Sequence, residues 1–106
     1  MPKYAIYHSV RFDKELEKFD KDFKDWLDKI EDQLVENPYS GDPLGVVWFR
    51  EKKYKNYRVY FLIYDNLSSV FMVGISSKKD QQKVINTIRL MMEFLKDEIE
   101  NLTRKN

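Results

Sequence analysis

The sequence predicts one α+β domain in which helices lie on an antiparallel group of strands. The period of the hydrophobic pattern is two in residues 4–10, helical in residues 12–35, two again in residues 46–76 and helical after residue 79. A strand, helices, closely spaced strands and a final helix follow the order of an α+β architecture. A chain of 106 residues is expected to form a single domain, residues 1–106, with a core of its own.

The first elements are a strand over residues 4–10 and an amphipathic helix or helix pair over residues 12–35. Apolar residues alternate in the first segment and recur at steps of three and four in the second. Asp13 is a suitable N-cap for the helix, and Asp20 is the N-cap of a second helix if the run is split. Asn37–Pro38 ends the run, because a residue before proline avoids the helical region.

The second half begins with a turn segment and continues with three strands and a helix. Residues 37–45 hold two prolines and two glycines, which is typical of turns. Strands are predicted at residues 46–54, 57–65 and 69–76, and short polar turns join them into an antiparallel meander. A helix of about six turns is predicted over residues 79–103. This helix is long for a small domain, so its last turns either cover the sheet or dock a partner.

Composition excludes several kinds of chemistry. There is no cysteine for a disulfide or thiolate, and the one histidine, His8, makes no metal cluster. His8 is either a general base or, more commonly, a structural or surface residue. The chain has no apolar signal core and no apolar run of membrane-spanning length, so we expect a cytoplasmic protein without membrane contact.

The charge is unevenly spread although the net charge is only +1. Residues 11–36 carry six Lys/Arg and ten Asp/Glu, a balance of −4, whereas residues 45–83 carry eight and three, a balance of +5. Such asymmetry is typical either of a basic site on one element or of an ordinary acidic helix surface.

The basic residues form two groups that a hairpin and its neighbouring strand bring together. The first group interleaves with Trp48, Phe49, Tyr54 and Tyr57 and contains Arg50, Lys52, Lys53, Lys55 and Arg58. The second follows the fourth strand and contains Lys78, Lys79 and Lys83. Cations beside aromatic rings are what RNA binding uses, since cations hold phosphates and rings stack on bases. The alternative is the ordinary lysine content of exposed strands.

Arg58 differs from the lysines because it lies inside an apolar strand. Strand alternation places Arg58 on the face that carries Tyr60 and Leu62, while Val59 and Phe61 lie on the other face. Both faces are apolar, so both are expected to be covered. The Arg58 guanidinium is therefore either paired with a helix carboxylate or presented to an external anion.

Three stretches, in their order and spacing, resemble the RelE/ParE toxin superfamily. "FDKELEKFDKDFKDWLDKIEDQLVENP" resembles its helical hairpin, "ENPYSGDPLG" its turn segment and "NYRVYFLIYDNLSSVFMVGISSKKD" its central YR hairpin. The resemblance covers about residues 4–85. It implies an α+β fold and a toxin–antitoxin module with an antitoxin as partner. In the RelE branch it implies a ribosome-dependent mRNA endonuclease that needs no metal or cofactor.

The resemblance also assigns site residues. Arg58 matches the family's strand arginine, a phosphate clamp. Arg50 and Lys52 lie where the family has basic residues on the preceding strand, and Lys78 and Lys79 match its basic segment after the fourth strand. The predicted catalytic residues are Arg58, Lys52 and Lys79, and the predicted RNA-binding residues are Arg50, Lys53, Lys55, Tyr57, Lys78 and Lys83.

This sequence departs from the RelE pattern in three respects. Gln81, Gln82 and Lys83 stand where RelE-type nucleases often carry Tyr or His, and the net charge is only +1 whereas the family's ribosome-directed members tend to be strongly basic. The C-terminal helix is also longer than in a compact RelE nuclease. The alternative function is therefore a non-catalytic binding module of the same fold. Such a module is either a ParE-like topoisomerase inhibitor or a protein-interaction domain. The long helix would then mediate contact with a partner or a homodimer.

Overall fold

The computed structural model describes residues 3–104, which form a five-stranded sheet between two layers of helices. The strands are β1 (Ala5–His8), β2 (Asp42–Pro43), β3 (Phe49–Tyr54), β4 (Tyr57–Tyr64) and β5 (Ser69–Ser77). The helices are α1 (Val10–Leu16), α2 (Lys21–Glu36), α3 (Gln81–Leu90) and α4 (Met92–Arg104), with short 3-10 helices at Pro38–Ser40 and Asp65–Leu67. In this part of the chain no helix has both the length and the apolar character needed to cross a membrane.

The strand order is β1-β5-β4-β3-β2, which confirms the predicted α+β fold and its antiparallel meander of β3, β4 and β5. β2 is a two-residue edge strand that the sequence did not predict. β1 joins β5 in parallel, and the chain then crosses into α1 and α2.

Each face of the sheet has its own core. α1 and α2 cover one face, here called the back face, through Phe12, Leu27 and Leu34 against Val59 and Phe61. α3 and α4 cover the other face, here called the front face. The front core contains Phe49, Tyr60, Leu62, Phe71, Val73, Ile85, Ile88, Leu95 and Ile99. Because the strands alternate, Arg58 shares the front face with Tyr60.

A β-bulge adjusts the front face beneath α3. Tyr60 pairs with Gly74 and Phe61 pairs with Met72, which leaves Val73 as an extra residue on β5. A Cβ atom on Gly74 would lie 3.1 Å from Ile88 Cδ1, so glycine lets α3 approach the sheet closely at this point.

The helix starts on the back face differ in one respect from the prediction. Asp20 is the N-cap of α2, as predicted, and its carboxylate accepts a hydrogen bond from the Phe23 amide. The prediction that Asp13 caps the first helix is wrong. Ser9 is the cap and accepts from the Phe12 amide, while Asp13 lies within α1 and binds His8 instead. The first strand consequently ends at His8 and not at residue 10.

Two other boundaries were predicted inaccurately. The strand expected over residues 46–54 begins only at Phe49, because residues 46–48 form an exposed loop. The helix expected over residues 79–103 does pack on the sheet, but it is broken at Met91 into α3 and α4. The break lets buried side chains of both helices reach the front core while Leu90, beside the break, is 89% exposed.

Candidate functional site

Arg58 is buried at the end of β4 without a carboxylate partner. Only 7% of the residue is exposed. Its Nη1 donates to the carbonyls of Lys55 (3.3 Å) and Tyr57 (3.0 Å). The buried Nε has no hydrogen-bond partner in residues 3–104, and Arg58 forms none of the ion pairs found there. Of the two alternatives, pairing with a helix carboxylate is absent from this part of the chain. A buried charge with an unused donor is costly unless an anion binds it, which leaves the guanidinium open to an external anion.

Glu51 is a second buried ionisable residue on the front face. It pairs with Tyr60 across β3 and β4 and is therefore a diagonal neighbour of Arg58. Glu51 is 5% exposed, and its Oε1 accepts a hydrogen bond of 2.9 Å from Gln81 Nε2 at the start of α3. The first turn of α3 thus covers the Glu51 carboxylate, and Gln81 holds it.

The Tyr60 hydroxyl lies between these charged groups. It is 2.7 Å from Ser76 Oγ. Burial raises the pKa of Tyr60, the hydrogen bond with Ser76 lowers it, and the charges of Glu51 and Arg58 act in opposite directions on it. The charges of Glu51 and Arg58 therefore both reach this hydroxyl across the end of the sheet.

Sequence reasoning missed Glu51 and Gln81, although one signal was available. Glu51 is the only acidic residue between Arg50 and Arg58. Pairing β3 with β4 through a two-residue turn places it on the same face as Arg58. The contact with Gln81 depends on how α3 docks on the sheet, which no local pattern specifies.

The two predicted basic groups do meet at one end of the sheet. Lys53 pairs with Arg58 across the strands, and Lys55 occupies the following turn with a left-handed φ of 53°. The Lys78 amide donates to the Asn56 carbonyl at 2.6 Å, which joins the end of β5 to that turn. Four exposed lysines lie at this end of the sheet and are called the basic rim here: Lys53, Lys55, Lys78 and Lys79. Lys53 Nζ is 3.7 Å from Asp42, and Lys55 Nζ lies over the Tyr54 ring on the back face. Lys83 is exposed in the first turn of α3.

Arg50 and Lys52 lie on the back face, away from Arg58. The Arg50 guanidinium donates to the carbonyls of Gly41 (3.0 Å), Val47 (2.8 Å) and Tyr39 (3.1 Å). Lys52 Nζ donates to the Ser40 carbonyl at 3.2 Å. Both side chains therefore fasten the turn segment before β3 and do not adjoin the basic rim.

His8 is held between two helices, far along the sheet from Arg58. Its Nδ1 is 2.7 Å from Asp13 and its Nε2 is 2.5 Å from Glu31. Burial lowers the pKa of His8, but the hydrogen bonds and charges of Glu31 and Asp13 outweigh this effect and raise the pKa above 6.5. His8 thus connects β1 to α1 and α2, which agrees with a structural histidine.

Among the comparisons with known proteins, only the one with solved structures finds similar chains. No protein-family model matches the sequence, and no curated protein matches it. A mutant of E. coli toxin RelE in the free state gives a TM-score of 0.72 at 17% identity, with 84% of this chain and 98% of that chain covered.

Two solved complexes are also similar. A RelE mutant bound to a peptide of its antitoxin gives a TM-score of 0.65 at 19% identity, covering 79% of this chain and 95% of that chain. The intact E. coli RelBE toxin–antitoxin complex gives a TM-score of 0.64 at 20% identity, covering 70% of this chain and 95% of that chain. Together with the strand order, these likenesses show that the chain has the fold of the RelE toxin.

Proposed function

We propose that the chain is the toxin of a toxin–antitoxin module and that it binds and cleaves RNA at Arg58, with messenger RNA on the ribosome as substrate in the cytoplasm. The observation that carries the proposal is the buried Arg58 guanidinium, which has an unused Nε donor and lies at the same end of the sheet as the exposed lysines of the basic rim. A guanidinium offers paired donors to a phosphate, and nearby lysines hold the flanking phosphates.

RNA can be cleaved at such a site without a metal ion. The ribose 2′-oxygen attacks the adjacent phosphorus, the P–O5′ bond breaks, and the products are a 2′,3′-cyclic phosphate and a 5′-hydroxyl end. Arg58 would stabilise the charge that develops on the phosphorane. Glu51 is the proposed acceptor of the 2′-hydroxyl proton, because it is the carboxylate closest in register to Arg58. Lys79 in the basic rim is the proposed donor to the leaving oxygen.

Gln81 controls access to the proposed base. Its amide occupies Glu51 Oε1 in the structure. The substrate hydroxyl would replace this amide as the donor to Glu51, so rotation of the Gln81 side chain precedes the reaction. In this proposal Glu51 serves as the proton acceptor of a chain that has Gln81 where RelE-type nucleases often carry Tyr or His.

The proposal is tested by RNA cleavage on translating ribosomes with four proteins. Wild type is expected to cleave, and Arg58→Met is expected to lose about 10²-fold or more in rate. Glu51→Gln, which keeps the shape of the side chain, is expected to lose roughly 10²-fold or more. Lys96→Ala, at an exposed position on α4, is the matched control and should cleave as wild type. Cleavage by Arg58→Met at the wild-type rate would contradict the proposal, and binding without cleavage by wild type would favour the non-catalytic module.

The proposed antitoxin partner has a candidate binding surface between α1 and the C-terminal helices. A groove of about 530 Å³ between α1 and the C-terminal helices is lined mainly by apolar side chains. Val10 and Phe94 line it and are 63% and 62% exposed, and its charged lining residues are Arg11, Lys14, Glu15 and Glu98. An amphipathic helix with both basic and acidic residues beside its apolar stripe fits this combination.

Co-purification with the product of a neighbouring short reading frame tests the partner surface. Phe94→Asp should abolish co-purification, whereas Lys96→Ala should not. Unchanged co-purification of Phe94→Asp would exclude this groove. A change in the oligomeric state of the isolated chain on Phe94→Asp would assign the groove to a homodimer instead.

A further inference from the structure

A pocket lined by aromatic rings opens on the back face beside the β3–β4 turn. It has a volume of about 480 Å³ and is called the hairpin pocket here. Its walls are formed by Phe19, Phe23, Tyr54 and Tyr57, and its other lining residues are Lys18, Asp20, Asp22 and Lys55. Tyr57 is 39% exposed, so part of this aromatic surface faces solvent.

The rings of the hairpin pocket are held in place by one another. Phe19 stacks on Phe23 at 4.2 Å between centroids, and Tyr57 meets the edge of Phe19 at 5.0 Å. Tyr54 packs against Phe23 at 5.6 Å. A flat π-system that enters the pocket would therefore meet rings that need no rearrangement, which favours stacking of a planar ligand.

The charged groups of the hairpin pocket match a nucleotide better than a purely apolar ligand. Lys55 Nζ lies 5.2 Å from the centroid of the Tyr54 ring, and neither Lys55 nor Lys18 takes part in an ion pair in residues 3–104. These ammonium groups are available to phosphates. Asp22 is exposed, and Asp20 uses one oxygen to cap α2. Carboxylate oxygens accept hydrogen bonds from the exocyclic amino groups of bases.

The hairpin pocket and the anion site share the same turn. Arg58 Nη1 donates to the Tyr57 and Lys55 carbonyls, and the Tyr57 and Lys55 side chains line the pocket. Tyr57 and Arg58 are neighbours in β4 and point to opposite faces. A strand that passes round the end of the sheet can therefore contact Arg58 with a phosphate and Tyr57 with a base.

We propose that the hairpin pocket binds a nucleobase that carries an exocyclic amino group, adjacent in the RNA to the phosphate held by Arg58. This inference rests on the proposed function and adds a base preference to it. Adenine, cytosine and guanine present such an amino group to the acidic side of the pocket, whereas uracil does not. The site therefore disfavours uridine-rich strands.

Trp26 provides a reporter for this binding. Its ring lies 4.8 Å from that of Tyr54, so its fluorescence responds to a ligand in the pocket. The experiment uses the full chain with Trp48→Phe, which leaves Trp26 as the only tryptophan. It is titrated with single-stranded oligoadenylate and oligouridylate of equal length, both 2′-O-methylated so that they cannot be cleaved.

Three variants in the Trp48→Phe background separate the hairpin pocket from the anion site. Oligoadenylate should bind more tightly than oligouridylate. Tyr57→Leu, which keeps apolar bulk but removes the ring, should weaken oligoadenylate binding about tenfold. Tyr57→Phe should bind as the parent, and Arg58→Met should weaken both oligonucleotides. The unfolding midpoints of the two Tyr57 variants show whether they are folded.

The outcomes distinguish the pocket from the proposed function. Equal binding of the two oligonucleotides, or a folded Tyr57→Leu variant that binds oligoadenylate as the parent does, overturns the hairpin pocket as a base site. If Arg58→Met still weakens binding in that case, the proposed function stands. If neither oligonucleotide binds the parent, both the hairpin pocket as a base site and the proposed function are overturned.

Discussion

Replacing Arg58 by methionine should remove function while leaving the free energy of unfolding nearly unchanged. The change deletes two hydrogen bonds from Nη1 to main-chain carbonyls, and hydrogen bonds from charged groups contribute roughly 1.5–3 kcal/mol each. It also deletes a buried Nε without a partner, which costs roughly 1–3 kcal/mol, and an unpaired charge whose burial costs several kcal/mol more. Methionine keeps most of the apolar stem. These opposing contributions nearly cancel, so we expect a net change within about 1 kcal/mol.

Arg50→Met is the matched comparison because Arg50 is buried to a similar degree in the neighbouring strand. Its guanidinium donates to three carbonyls and lies 5.5 Å from the centroid of the Tyr39 ring. No buried donor of Arg50 is left without a partner. Removal of the buried charge acts in the same direction in both variants. Arg50→Met loses one more charge-assisted hydrogen bond, roughly 1.5–3 kcal/mol, and relieves no unpartnered donor, roughly 1–3 kcal/mol, so it should be less stable than Arg58→Met by about 2.5–6 kcal/mol.

Urea denaturation followed by tryptophan fluorescence measures both variants at one pH. Wild type and Arg58→Met should unfold at similar midpoints, and Arg50→Met should unfold at a much lower urea concentration with a similar slope. If Arg58→Met loses as much stability as Arg50→Met, the Arg58 side chain is structural and the reasoning about an unsatisfied anion site is refuted.

Three further predictions concern the scaffold. Asp20→Ala should lower the free energy of unfolding by about 1 kcal/mol through loss of the α2 cap, measured by urea denaturation, and no change would show that the cap is dispensable. The raised pKa of His8 means that its ion pairs stabilise the fold fully below pH 6.5 and lose this effect as the pH rises through the higher folded-state pKa. Wild type should therefore lose more stability than His8→Gln from about pH 6 to about pH 8, and parallel pH profiles would contradict this. Gly41→Ala would place a Cβ 2.7 Å from the Glu51 carbonyl oxygen, so the free energy of unfolding should fall by about 1–3 kcal/mol. A thermal melt should therefore show a lower melting temperature, and a wild-type melting temperature would show that the turn can shift.

Much of the fold follows from local patterns in the sequence. The alternation in residues 57–65 and 69–76 marks β4 and β5, and Asp20 caps α2 because its neighbours already favour a helix start. Other boundaries depend on contacts distant in sequence. Asp13 is a good cap by type, but its carboxylate pairs with His8 and the cap moves to Ser9.

The candidate site was predicted only in part, because part of it follows from strand patterns and part from contacts distant in sequence. Strand parity placed Arg58 correctly with Tyr60 on one face, and hairpin connectivity brought Lys53 and Lys78 to the same end of the sheet. Arg50 belongs to the same basic group in the sequence. Its guanidinium binds main-chain carbonyls instead, because the turn segment before β3 passes over it.

The broken C-terminal helix also lay beyond local patterns. Its apolar spacing is helical throughout, so nothing near Met91 marks an interruption. The break follows from fitting both α3 and α4 to one sheet face. The position of α3 in turn places Gln81 over Glu51, which is why that contact could not be predicted.

The central claim, that Arg58 is an anion site for RNA, is tested most directly by the NMR signals of the arginine Nε–H groups. Arg58→Met and Arg50→Met assign the two signals by their disappearance. Addition of a 2′-O-methylated RNA oligonucleotide should shift the Arg58 Nε–H signal strongly, because this donor gains a phosphate partner, and should leave the Arg50 signal in place. A stationary Arg58 signal at saturating RNA would contradict the account.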